Sequence, residues 1–120
     1  MTDRKELLRQ YKQTVPQMGI FQIMNTMNGK LFIGKAKDVN GIINSNKFQL
    51  KIGRHFNKRL QEDYNAFGEN GFDFKVLDCL KPREDPSFDY SEELQILEDM
   101  WLEKLRPFGE KGYNTEKKIS

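Results

Sequence analysis

The chain has 120 residues, enough for one small domain that can bury roughly two-thirds of its unfolded surface around a single core. Hydrophobic residues make up 37% and charged residues 32%, yet nine Phe, four Tyr and one Trp set the chain apart from disordered sequences. Twenty Lys and Arg against 18 Asp and Glu leave a net charge of +2, which excludes a strongly cationic nucleic-acid coater but not a basic patch on one face. The lone Cys79 excludes an intrachain disulfide and a cysteine-rich zinc site. No apolar run approaches the roughly 18 residues of a membrane span, and Met1 to Glu6 lacks the apolar stretch of a signal peptide. A cytoplasmic protein without membrane partners is expected.

In chain order, Thr2 to Gln13 reads as a short helix, with Thr2 as its cap and Leu7, Leu8 and Tyr11 as an apolar stripe. Pro16 stops it, so residues 1–16 form an N-terminal helix ahead of a domain over 17–114 and a polar tail over 115–120. Two β-prone runs follow, Gly19 to Met24 and Lys30 to Gly34. Asn28-Gly29 between them predicts a hairpin closed by a type I′ turn. Residues 35–53 are ambiguous. Asp38 can cap a helix, but Asn40, Gly41, Asn44, Ser45 and Asn46 are poor helix formers, so a weak helix or an irregular stretch is expected.

Asn57 caps a firmer helix that places Leu60, Tyr64 and Phe67 on one face and closes at Gly68. Phe72 to Leu77 alternates as a third strand. Asp89 and Glu92 resemble a capping box before a helix with Leu94, Leu97, Trp101 and Leu105 inward, ended by Pro107. The expected class is α/β in the α+β sense: a small three-stranded antiparallel sheet flanked by helices.

Few residues carry chemistry on residue type alone. His55 is the only histidine, which excludes paired-histidine metal sites. Cys79 lies in the apolar run Val76 to Leu80, where a buried structural thiol is favoured over a Cys79–His55 nucleophile pair. Met18, Met24 and Met27 read as packing residues. Glu98 borders the sheet-facing stripe of the last helix, so its carboxylate must be paired, solvated or bound to a cation. Lys35, Lys37, Lys47, Lys51, Arg54, Lys58 and Arg59 crowd the middle of the chain, with Phe48, His55 and Phe56 among them. They form either a phosphate-binding surface or a solvated face.

Gly19-Ile20-Phe21 followed by Asn28-Gly29-Lys30-Leu31-Phe32-Ile33-Gly34 resembles the paired GIY and YIG strands of the GIY-YIG nuclease superfamily. The resemblance continues through Ala36-Lys37-Asp38, Leu60-Gln61, Phe67-Gly68, Glu98-Asp99-Met100-Trp101 and Gly112-Tyr113-Asn114. It implies a site with two tyrosines, an arginine, a histidine, a metal-binding glutamate and a supporting asparagine. Carried over by position, the tyrosines fall on Phe21 and Phe32, the arginine on Ile42 and the histidine on about Asn46. Gly34, Glu98 and Asn114 match the pattern. Phe cannot relay a proton, and Ile cannot stabilise a phosphate's developing charge.

The resemblance therefore implies a catalytically degenerate domain that binds nucleic acid, DNA more than RNA, through Lys35, Lys37, Lys47, Lys51, Arg54, His55 and Lys58. Mg²⁺ would be held weakly through Glu98. One alternative is an active Mg²⁺-dependent endonuclease in which Arg54, His55 or Lys35 takes a vacant role. The other is a protein-interaction or decoy module. Phe21 and Phe32 are expected side by side, with Glu98 facing them across a helix–sheet cleft.

Overall fold

A computed structural model describes residues 17–84 and 87–116; the helix expected before Pro16 and the end of the tail lie outside them. Strands β1 (Gly19–Asn25) and β2 (Leu31–Ala36) form the expected hairpin, and β3 (Phe72–Cys79) joins the other side of β1. All pairs are antiparallel and the spatial order is β2-β1-β3. The hairpin turn is not type I′. That turn needs positive φ at both central residues, and here Gly29 alone has it, at 77°. The loop is longer. The Gly29 amide donates to Asn25 O at 2.7 Å and the Asn25 side chain accepts from Met27 N at 2.9 Å.

Residues 39–51 form a regular helix, α1 (Val39–Lys51), where a weak or irregular stretch was the expectation. Val39, Ile43, Asn46 and Leu50 are its buried residues, spaced as one helical face. Asn46 hides the stripe, because a polar residue occupies an apolar phase. Asp38 caps α1 by accepting from Gly41 N at 3.0 Å. Helix α2 (Lys58–Phe67) is capped by Asn57, which accepts from Leu60 N at 3.1 Å, and ends at Gly68 with φ 80°. Its inward face holds Leu60 and Gln61, with Tyr64 half-buried. Phe67, expected inward, sits exposed at the helix's last residue.

Helix α3 (Ser91–Leu105) starts without the capping box. Asp89 lies two residues ahead of its first turn and accepts from the nearby Ser91 N at 2.9 Å instead. Arg106 in the left-handed region (φ 44°) ends α3, and Pro107 is buried behind it. Among the described residues no helix is long and apolar enough to cross a membrane.

Strand alternation splits the sheet into two faces. Phe21, Ile23, Phe32 and Phe72 join Val39, Ile43, Leu50, Leu60 and Tyr113 in one core on the α1–α2 side. Helix α3 covers the opposite face, tied there by Trp101 Nε1 donating to Asp78 Oδ2 at 3.1 Å and by Lys35 Nζ donating to Gln95 Oε1. Cys79, expected buried, is exposed. It closes an edge strand, opposite Gly19, which offers no side chain to cover it. Met27, expected in the packing, projects from the hairpin loop into solvent.

Candidate functional site

Register brings the expected aromatic pair together. Ile23 pairs with Phe32 and Phe21 with Gly34, so Phe21 and Phe32 are diagonal neighbours on one face. Their ring centroids are 6.0 Å apart, and the residues are only 4% and 7% exposed. Gly34 is required here. A Cβ at this position would lie 2.6 Å from the Phe21 ring, so the absent side chain is what lets the ring lie across the strand.

Ile42, at the arginine position, packs half-buried against the same core. Asn46, at the histidine position, is buried and tied to His55. The His55 Nδ1 accepts from Asn57 N at 3.0 Å, so in the neutral ring Nε2 carries the proton and donates to Asn46 Oδ1. Asn46 Nδ2 donates in turn to Ile42 O at 2.7 Å, which fixes the amide's orientation. Burial holds the His55 imidazole below its ordinary pKa. His55 thus belongs to the interior and not to a phosphate-binding surface, contrary to expectation. With both nitrogens engaged inside the fold, it also forms no nucleophile pair with exposed Cys79.

Glu98 does not face the two rings. It comes from α3, on the other side of the sheet, and reaches the outer edge of β2, where Oε2 accepts from Lys35 N at 3.0 Å. Its other oxygen accepts from Gln95 Nε2 at 3.3 Å. The helical phase placed Glu98 beside the sheet, but strand alternation sends the rings the opposite way. Asn114 joins Glu98 on that edge, its side chain accepting from Ile33 N at 2.9 Å and donating to Ile33 O at 2.8 Å. Tyr113 N donates to Leu31 O at 2.8 Å, so the C-terminal segment and Glu98 together cover a strand edge that would otherwise be bare.

A single carboxylate whose two oxygens already accept hydrogen bonds suits at most a loosely held, hydrated cation. Among the described residues no group of three His, Cys, Asp or Glu comes together as a metal site.

The basic residues divide. Lys47 and Lys51 line a groove of about 500 Å³ with Phe48, Tyr64, Phe72 and Phe74, towards the β3 side, and Lys47 lies over the Phe74 ring at 5.2 Å. Lys35 turns to Gln95 on α3, and Lys37 is exposed just beyond β2. Arg54, on the segment joining α1 and α2, and Lys58, the first residue of α2, are exposed. Of these basic residues, Lys35 is the one seen to contact Glu98, through its backbone amide.

One polar cluster escaped the sequence. The Tyr113 hydroxyl donates to Asp63 Oδ2 at 2.6 Å and accepts from fully buried Asn25 at 3.1 Å. Burial, reinforced by the Asp63 bond, pushes the phenol up to about 12. Buried Gln61 joins α1 to α2, donating to Leu50 O and accepting from His55 N, both at 3.0 Å. Nothing local in the sequence marks Asn25 or Gln61 as buried.

No protein-family model matches the chain. Over 88 residues, 72% of its length, it is 33% identical to intron-associated endonuclease 1 of Enterobacteria phage T4. It spans about a third of that protein (32%). Its fold matches the solved catalytic domain of the homing endonuclease I-TevI with a TM-score of 0.66 at 27% identity, covering 83% of this chain and 99% of that domain. A glutamate-to-alanine mutant of the same catalytic domain matches at 0.65 and 28%, over 82% of this chain and 92% of that one. These likenesses to an intron-associated endonuclease and to the I-TevI catalytic domain bear out the resemblance to the GIY-YIG nuclease superfamily. The chain's three-stranded antiparallel sheet with three helices is the GIY-YIG nuclease fold. At the positions of the motif's two tyrosines, this chain carries the packed Phe21–Phe32 pair.

Proposed function

We propose that this GIY-YIG domain is catalytically degenerate and binds nucleic acid, DNA in preference to RNA, without cleaving it. One observation carries this: the aromatic pair in the strand motif has no hydroxyl and is packed into the core with Ile42 against it. A GIY-YIG centre that relays a proton through tyrosine and neutralises phosphate with arginine has neither group at these positions. The nuclease names of the relatives and the exposed cations of residues 51–59 support nucleic acid as the ligand. Binding rests on Lys and Arg to phosphate, and so weakens steeply with salt and depends little on sequence. Mg²⁺ at Glu98 is loosely held and does not support strand cleavage.

The test is nicking of supercoiled plasmid in Mg²⁺ and in Mn²⁺, by wild type and by Glu98→Ala. Neither protein is expected to nick, and a combined Phe21→Tyr, Phe32→Tyr, Ile42→Arg, Asn46→His variant is the one in which activity would return, because such groups act as a unit. Nicking by wild type that disappears in Glu98→Ala would establish an active endonuclease with a rearranged centre. DNA affinity that stays flat between low and physiological salt would favour a protein partner instead.

A further inference from the structure

We propose that Phe56 is a stacking platform for an unpaired nucleobase, a role that rests on the nucleic-acid function proposed above and gives it a structural preference. Phe56 is an aromatic residue left in the open beside a buried aromatic cluster. It is 72% exposed, whereas its neighbour His55 is 6% exposed. Its ring is nevertheless held in place. It stacks on the His55 imidazole at 4.5 Å with the planes 25° apart, and meets the Phe32 ring at 5.8 Å.

His55 is itself immobilised through both ring nitrogens, by Asn57 and by Asn46. One face of Phe56 is therefore backed by a fixed ring while the residue stays open to solvent. A single exposed apolar side chain is ordinary; what sets Phe56 apart from the other exposed apolar residues is the fixed imidazole stacked behind its ring.

The charge around the ring selects the occupant. Residues 51–61 carry no acid and four cations, of which Lys51 lines the groove towards β3 and Arg59 donates to Gly109 O, leaving Arg54 and Lys58 nearest Phe56 in the chain. Arg54 and Lys58 stand two residues either side of Phe56, both exposed, in reach of phosphates on a strand whose base lies on the ring. A protein surface would present apolar side chains to Phe56 and acids to its flanks. A nucleotide presents an aromatic face and a phosphate in one unit, and base–aromatic stacking tolerates any base. Bases in an intact duplex are stacked on one another, so the platform serves single strands, bulges and branch points.

The experiment measures binding of three labelled DNAs of equal length at one fixed salt concentration: a single strand, a duplex with one bulged 2-aminopurine, and an intact duplex. Wild type, Phe56→Ala, Phe56→Trp and Lys58→Ala are compared. Phe56→Ala is expected to weaken single-strand and bulge binding roughly five- to hundredfold and to leave duplex binding within about twofold. Phe56→Trp keeps the affinity and quenches the 2-aminopurine. Lys58→Ala weakens all three DNAs alike.

If wild type binds DNA but Phe56→Ala binds the single strand and the bulge as well as it does, the platform is wrong and the nucleic-acid function stands. Equal loss on all three DNAs in Phe56→Ala also overturns stacking. If wild type binds none of them, the proposed function fails, and the platform with it.

Discussion

The outer edge of β2 and the sheet face that carries Phe21 and Phe32 treat the family pattern in opposite ways. On the edge the polar residues match it: Asn114 holds both polar groups of Ile33 and Glu98 holds the Lys35 amide. On the face they do not, and the tyrosine positions hold rings that pack at 6.0 Å. The difference lies in what each side chain touches. Glu98 and Asn114 satisfy main-chain groups of an edge strand, and those groups need partners whether or not any reaction occurs. A tyrosine hydroxyl on the face would serve the reaction centre alone, and phenylalanine keeps its packing. A domain that lost its chemistry would keep its edge residues and lose its face residues.

Deleting a face ring breaks this comparison most severely. Phe32→Ala is expected to cost about 3–5 kcal/mol of unfolding free energy in a urea titration, as for other buried aromatics. A loss under about 1 kcal/mol would mean that the pair is not core, and the contrast would collapse. Asn114→Ala comes next, at about 2 kcal/mol, because it strands both the N–H and the C=O of Ile33.

Glu98 sharpens the contrast further. If its role is to accept from Lys35, Glu98→Gln keeps that acceptor and should stay within about 0.5 kcal/mol of wild type, while Glu98→Ala costs about 1 kcal/mol. Equal losses in the two variants would show that the charge, not the edge bond, is what matters.

The smallest effect is on pH dependence. The folded state holds His55 below its ordinary pKa of 6.5. Below 6.5 the unfolded chain therefore binds the extra proton first, and stability is lost as pH falls through the folded value. Being the chain's only histidine, it gives one imidazole titration by NMR. A midpoint below 6.5 with the Nε2–H tautomer is expected, and a midpoint at or above 6.5 would place the ring outside the aromatic stack.

Much of this was legible because it is local. The caps at Asp38 and Asn57 and the closing Gly68 depend on residues within four positions of one another, the hairpin on pairs no more than 17 apart, and all are present. The adjacency of Phe21 and Phe32 followed from two strands and a short loop. Helix α1 was obscured because Asn46 breaks its apolar stripe, and the bonds to His55 and to Ile42 O make a polar residue tolerable there. Phe56 and Phe48 were equal candidates in the sequence; the stack on His55 distinguishes Phe56.

By itself, then, the sequence determined the elements, their order and the chemistry missing from the motif, since backbone preference and side-chain type act over a few residues. Tertiary structure alone decided which face of the sheet each helix covers and what seals the edge. Helical phase tells which side of α3 meets the sheet, but not which side of the sheet meets α3. Glu98 lies 63 residues from Lys35 and Asn114 lies 81 from Ile33. No propensity reaches that far: these pairs form because β2 is an edge strand, paired with β1 on one side only, so its outer main-chain groups need partners, and α3 and the C-terminal segment supply them.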